Sequence, residues 1–368
     1  MSFSFPNSLS NLKDFISKTD DDGSLQIYSY NYCDNNSSED LKKCRGLVFN
    51  GDNLLFNSLG FTPEYSEYDN ELLSKNPIEN YKFFPSEEGT LIRLFYYNKW
   101  YVSTHRKLDA FNSRWGSQKS FGEIFVDSVK TVGYDSLESL TSKLDKKSMY
   151  LFFIRNTLQN KIVSEPPTEH KVYFVGVSSP EFGVSMSCEN FDFPTQQKLN
   201  FENWEQVFDY VKQVNPKEKQ GVLAFYNDNS GKLSQFKIVN STYQLLSQVR
   251  GNEPNLTLRY LQVRSHHLYK KMVYDLYPEH LNYFINIENI IIKICKNIHN
   301  AYVSRFVGKN YTVVSQEEYV IIKECHGWHI QDRKNNKVTL SQVIGFINKE
   351  KYTNLLYTLV NRFISSNK

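Results

Sequence analysis

Residues 81–116 read YKFFPSEEGTLIRLFYYNKWYVSTHRKLDAFNSRWG, and this stretch decides the fold. Within it, TLIRLFYY (90–97) and KWYVST (99–104) are rich in aromatic and β-branched residues, with the turn former Asn98 between them. That pattern predicts two antiparallel strands joined by a tight turn. The signature recurs on both sides. LQIYSYNY (25–32), RGLVF (45–49) and NLLFNSL (53–59) precede it, and MYLFFI (149–154) and KVYFVGVS (171–178) follow. Two more runs, GVLAFY (221–226) and SQFKIV (234–239), flank the turn cluster at 227–231. Apolar 3/4 spacing predicts helices over 119–131, 136–145 (with Asp135 as N-cap) and 203–213. Residues 1–250 therefore read as an α+β domain of antiparallel sheets.

From residue 251 the pattern changes. Phe284, Ile287, Ile291, Ile294, Ile298 and Tyr302 recur at 3/4 steps and predict one apolar helical face over 281–306. A last helix is predicted over 351–364, and Gly251-Asn252-Glu253-Pro254 marks the boundary. An all-helical C-terminal domain, 251–368, follows the mixed one, as expected for two domains in 368 residues.

Composition narrows the function classes. With 40% hydrophobic and 15% aromatic residues the chain can offset the entropy of folding, so disorder is excluded. No run of 18 uncharged apolar residues occurs, so no membrane-spanning helix is expected. The start, MSFSFPNSLSNLKDF, has neither a basic segment nor a continuous apolar one, so no secretory signal is read. Five cysteines without a C-x-x-C pair fit a reducing, cytoplasmic location. Three alanines against 36 asparagines match codon pressure in an AT-rich genome, such as a virus, and warn against reading every tyrosine as a stacking site. The net charge of +3 hides an asymmetry: residues 251–368 hold 16 basic and 9 acidic side chains. A basic second domain on an acidic first one points to a polyanion contact.

The motif order over 25–250 resembles the nucleotidyltransferase domain of phage-type, ATP-dependent RNA ligases. YSYNY (28–32) with CRGLVF (44–49) is similar to that family's entry motif, and SEEGT (86–90) to its K-x-D-G-S/T motif. MYLFFIRNTLQNKIV (149–163), VYFVGV (172–177), QGVLAF (220–225) and QFKIV (235–239) keep the family's remaining order. The resemblance implies a lysine amine attacking the α-phosphorus of ATP, with carboxylates for ribose and metal and lysines for the phosphates.

At those positions the sequence departs from the pattern. Ser86 stands where the nucleophilic lysine belongs. Glu64 replaces a lysine, Phe152 and Gln220 replace carboxylates, and Val239 replaces the second lysine of K-x-K. Arg45, Glu88, Gly89, Gly221 and Lys237 are what remains of the nucleotide site. The expectation is a catalytically degenerate ligase-like protein, with no cofactor and no metal, retained for RNA binding or for assembly with a protein of a replication, transcription or RNA-repair system. The alternative is an active RNA ligase that uses ATP and Mg2+ through a relocated lysine, Lys107. Lys82, four residues before Ser86, lies on the same strand face but too far along it to replace the missing amine.

Arg264, Lys270, Lys271 and Lys293, interleaved with Tyr260 and Tyr269, form a candidate nucleic-acid stripe. Arg106 and Arg114, near Trp115, form a second basic-aromatic group. Cys325-His326-Gly327-Trp328-His329 has three potential metal ligands but no second cluster, so it reads as a loop rather than a zinc site. No P-loop, G-x-G-x-x-G or Ser-His-Asp order suggests a rival enzyme, and the oligomeric state is open.

Overall fold

The computed structural model describes residues 6–157, 161–179, 183–188, 191–228 and 231–366. Asn160 of the ligase-like segment and Asn229 and Ser230 of the turn cluster lie outside the described residues. The chain divides into two compact units, residues 1–245 and 246–368.

The first unit is α+β. Strands β1 (Ile16–Asp21), β2 (Gln26–Tyr30), β3 (Leu47–Asn50) and β4 (Asn53–Phe56) form an antiparallel sheet in chain order. The chain continues through β5 (Glu64–Ser66), β6 (Lys82–Ser86), β7 (Thr90–Tyr97), β8 (Lys99–Ser103), β9 (Met149–Arg155), β10 (Lys171–Ser179), β11 (Gly183–Ser185), β12 (Gly221–Asn227) and β13 (Leu233–Val239). A second sheet has the order β11-β10-β9-β7-β8 and a third β5-β13-β12-β6, antiparallel except for the parallel pair β5–β13. The turn between β7 and β8 is a single residue, Asn98 at φ 58, a conformation that asparagine tolerates better than most side chains.

Period-2 alternation places the cores. On β9, Tyr150, Phe152 and Ile154 join a cluster with Ile124 and Phe125, while Met149 and Leu151 join one with Leu25, Ile27 and Val48. The helices of this unit are α1 (Glu39–Lys43), α2 (Asn70–Leu73), α3 (Phe121–Lys130), α4 (Leu137–Thr141) and α5 (Trp204–Gln213). Helix α3 opens on a Ser120/Glu123 capping box. Helix α4 is capped by Ser136 rather than Asp135, because the Ser136 hydroxyl accepts from the Ser139 N–H, and it ends at Thr141. On α5, Trp204, Val207, Phe208 and Val211 pack on the back of the third sheet against Val222, Ala224, Phe236 and Ile238.

Helix α6 (Ser241–Arg250) stops at Gly251, whose φ is +58. The second unit is helical: α7 (Leu256–Val263), α8 (His267–Leu276), α9 (Leu281–Tyr302), α10 (Gln316–Gln331), α11 (Leu340–Ile347) and α12 (Thr353–Ser366). Helix α9 buries Phe284, Ile287, Ile291, Ile294, Ile298 and Tyr302, as its spacing predicts, and continues into a π-turn over Val303–Val307. Among the described residues no helix is long and apolar enough to cross a membrane.

Candidate functional site: a cleft in the first unit

The face of the third sheet opposite α5 lines a cleft of about 530 Å³, within the usual range for a small-molecule site. Strand register sets its side chains in rows. Lys82, Phe225 and Gln235 form one row; Phe84, Leu223, Lys237 and Glu64 form the next; Ser86 stands beside Gly221 in the third. Lys82 and Ser86 thus share a face, two rows apart. The opposite wall carries Leu91, Phe153 and Val175 from the second sheet, and Arg45 and Tyr30 are also part of the lining.

Ser86 is 2% exposed. Its hydroxyl donates to Gln220 Oε1 at 2.9 Å, and Lys237 Nζ donates to the same oxygen at 3.0 Å. The Gln220 amide nitrogen donates to the Tyr243 hydroxyl at 3.0 Å, which in turn donates to Glu88 Oε1 at 2.8 Å. Burial lowers the Lys237 pKa, opposed by Glu64, whose carboxylate lies 3.6 Å away. Burial, and then the charge of Glu88, raises that of Tyr243. The acceptor facing Ser86 is therefore an amide oxygen, which cannot take up its proton.

Three carboxylates line the cleft: Glu64, which faces Lys237, and Glu87 and Glu88, which the fold itself engages. Glu88, 4% exposed, accepts the backbone N–H groups of Ile162, Val163 and Ser164 at 2.7–3.1 Å, so it pins this segment. Glu87 pairs with Arg155 at 2.7 Å and accepts from Gln196. These structural roles have no local sequence signature, since the partners of the two carboxylates lie 68 to 155 residues away.

Gly89 and Gly221 are explained by packing. A Cβ on Gly89 would enter the Phe153 ring and come within 2.5 Å of the Ile154 carbonyl oxygen. A Cβ on Gly221 would collide with the Ile238 carbonyl oxygen. Gly221 is not among the residues lining the cleft. Phe152 corrects the sequence reading by one position: its side chain is buried with Phe125 in the core, and Phe153 is the residue of β9 that faces the cleft.

Arg45 lines the cleft and donates to the Gly60 carbonyl at 3.3 Å. Behind it Arg93, fully buried, donates to the Gly46 carbonyl, to Ser103 Oγ at 2.9 Å and to the Thr104 carbonyl at 2.5 Å. Burial pushes the Arg93 pKa down to about 9. Burial together with Arg45, Arg93 and Arg106 pushes His105 down to about 3, leaving it neutral. Lys107 does not line the cleft; its ammonium meets Asp20 at 3.3 Å. Arg106 and Arg114 are exposed and also lie outside the lining.

In the second unit the stripe is broken. Arg264 is folded inward, with two hydrogen bonds to Glu288 at 2.8 and 2.6 Å, and the buried Tyr260 donates to the same carboxylate. Lys270 meets Glu288 at 3.4 Å. Lys271 and Lys293 are exposed, the latter over the Phe363 ring. Cys325–His329 is helical, inside α10, rather than a loop. Cys325 is buried, His326 stacks on Phe306, and His329 Nδ1 contacts the Asn336 carbonyl.

No protein-family model matches the chain. Among solved structures the chain is similar to ATP-dependent ligases. One is a putative DNA ligase from Aquifex aeolicus: 12% identity, TM-score 0.44, covering 76% of this chain and 78% of that one. Another is an archaeal RNA ligase: 10% identity, TM-score 0.44, covering 74% and 71%. Among curated proteins it is similar to the immediate-early protein ICP-46 homolog of Invertebrate iridescent virus 3. That match is 33% identical over 237 residues, 62% of this chain and 52% of the relative. The homolog of Invertebrate iridescent virus 6 is 28% identical over 321 residues, 79% of this chain and 68% of the relative. The match spans about half the length of the first relative.

Proposed function

We propose that the first unit is a ligase-like nucleotidyltransferase domain that no longer transfers adenylate, and that the protein acts by holding RNA without a covalent step. One observation carries this reading: Ser86, which the motif order sets where a ligase would have its lysine, is hydrogen-bonded to an amide, not to a base. A phosphoramidate needs an amine, and a serine hydroxyl needs a general base to attack phosphorus. The engagement of Glu87 by Arg155 and of Glu88 by three backbone N–H groups supports it further: two of the three cleft carboxylates serve the fold, and the third, Glu64, faces the Lys237 ammonium at 3.6 Å.

The test is covalent labelling. Purified protein is incubated with radiolabelled ATP or GTP and Mg2+ and resolved on a denaturing gel; no labelled band is expected. A labelled band that disappears in Lys107→Ala would establish the relocated-lysine ligase instead. Absence of both label and RNA binding would leave assembly with a protein partner as the role.

A further inference from the structure

The π-turn at the end of α9 exposes an aromatic and basic surface that the cleft reading does not use. The Arg305 guanidinium lies 5.3 Å from the Tyr311 ring centre and 5.1 Å from that of Tyr319, so it stands between the two rings. Tyr311 is 82% exposed. Beside this stack, Phe306 carries His326 at a centroid distance of 3.8 Å, and the positive charge of Arg333 reaches His326. Lys309 and Lys323 are exposed on the same stretch.

The platform is held in place before any ligand arrives. Arg305 donates to the Thr312 carbonyl at 3.3 Å, Thr312 Oγ1 donates to Ser304 Oγ at 2.9 Å, and the Asn310 N–H reaches the Ser304 carbonyl. Nearby acids have partners of their own. Glu318 caps α10 through the Ser315 N–H, Glu317 pairs with Arg362, and Asp332 accepts from Asn335. The surface therefore offers flat π faces and cations whose neighbouring carboxylates are already engaged. This combination matches stacked bases on a phosphate backbone.

We propose that this surface, built on Arg305, Tyr311 and Tyr319, binds single-stranded nucleic acid. The proposal deepens the RNA-holding part of the function proposed above by assigning it a site, and it does not depend on the chemistry of the cleft. A duplex, whose bases are already stacked, offers no face to Tyr311, so the site selects single strands. Stacking and cations alone do not separate RNA from DNA.

The test is fluorescence anisotropy on the full chain with labelled oligouridylate, oligothymidylate and a duplex of equal length. Binding to one or both single strands, tighter than to the duplex, is expected. Tyr311→Ala should weaken it by about five- to a hundredfold, the range of one base–aromatic stack, and Tyr311→Phe should restore it. Arg333→Gln should lower the salt dependence by about 0.7 in the log–log slope. Lys130→Gln, on α3 of the first unit, should change nothing. Single-strand binding that is unaltered in both Tyr311→Ala and Arg333→Gln would overturn the site but not RNA holding. Failure of the wild-type chain to bind any single strand would overturn both. Because Tyr311 projects into solvent, its replacement should shift thermal unfolding by no more than the loss of one exposed cation–π contact, and a larger shift would expose a folding defect.

Discussion

Arg264 and Arg305 belong to the same helical unit, and each stands among tyrosines, yet they do opposite things. Arg264 finds Glu288 and folds inward with Tyr260. Arg305 finds only two ring faces and a carbonyl oxygen, and it stays at the surface. The first unit repeats the contrast: Glu88 is drawn down onto three backbone N–H groups, while Arg45 and Lys237 keep their place on the cleft wall. A charge counted in the sequence says little about binding until its partner is known.

The contrast can be broken most sharply at Arg264. Arg264→Ala would leave Glu288 mostly buried without its main cation and should lower unfolding stability by about 3–5 kcal/mol in a denaturant titration. The pH dependence should change with it. Burial alone would raise the Glu288 pKa, but the hydrogen bonds and charge of Arg264 outweigh this and hold it at about 2. Because the folded pKa lies below the unfolded one, this stabilisation is present above about pH 4.3 and fades as pH falls toward 2. In Arg264→Ala that acid-limb loss should shrink.

A somewhat smaller effect is expected at Glu88. Glu88→Ala would strand the N–H groups of 162–164 and should cost roughly 3 kcal/mol, measured as a shift in denaturant midpoint. If it instead left stability unchanged, Glu88 would belong with the outward charges. Smallest is Arg305→Ala, expected to cost about 1–2 kcal/mol, the worth of two cation–π contacts near the surface. A loss as large as that of Arg264→Ala would erase the distinction.

The fold was legible where burial imposes a period. Strands β7, β9, β10, β12 and β13 and helix α9 follow their apolar spacing closely. Strand β1, ISKTDD, was not legible, because it is an edge strand whose side chains are mostly solvated. Strand β6, KFFPS, is disguised by Pro85; proline is tolerated because β6 is the edge strand of its sheet, its outer side bridged to Leu199 at Phe83 rather than at Pro85. Within the cleft, Arg45, Ser86, Gly89 and Lys237 could be placed from motif order alone. The internal roles of Glu87 and Glu88 could not, since each is set by contacts across more than sixty residues.

The buried Arg93 has a consequence for motion. Its guanidinium fastens Gly46 to Ser103 and Thr104, and a Cβ on Gly46 would come within 2.7 Å of it. Neither loop can lift alone without leaving a cation in a dry interior, so the two should open together. Amide hydrogens of both loops should then exchange with solvent as one cooperative block, although some sixty residues of chain separate them.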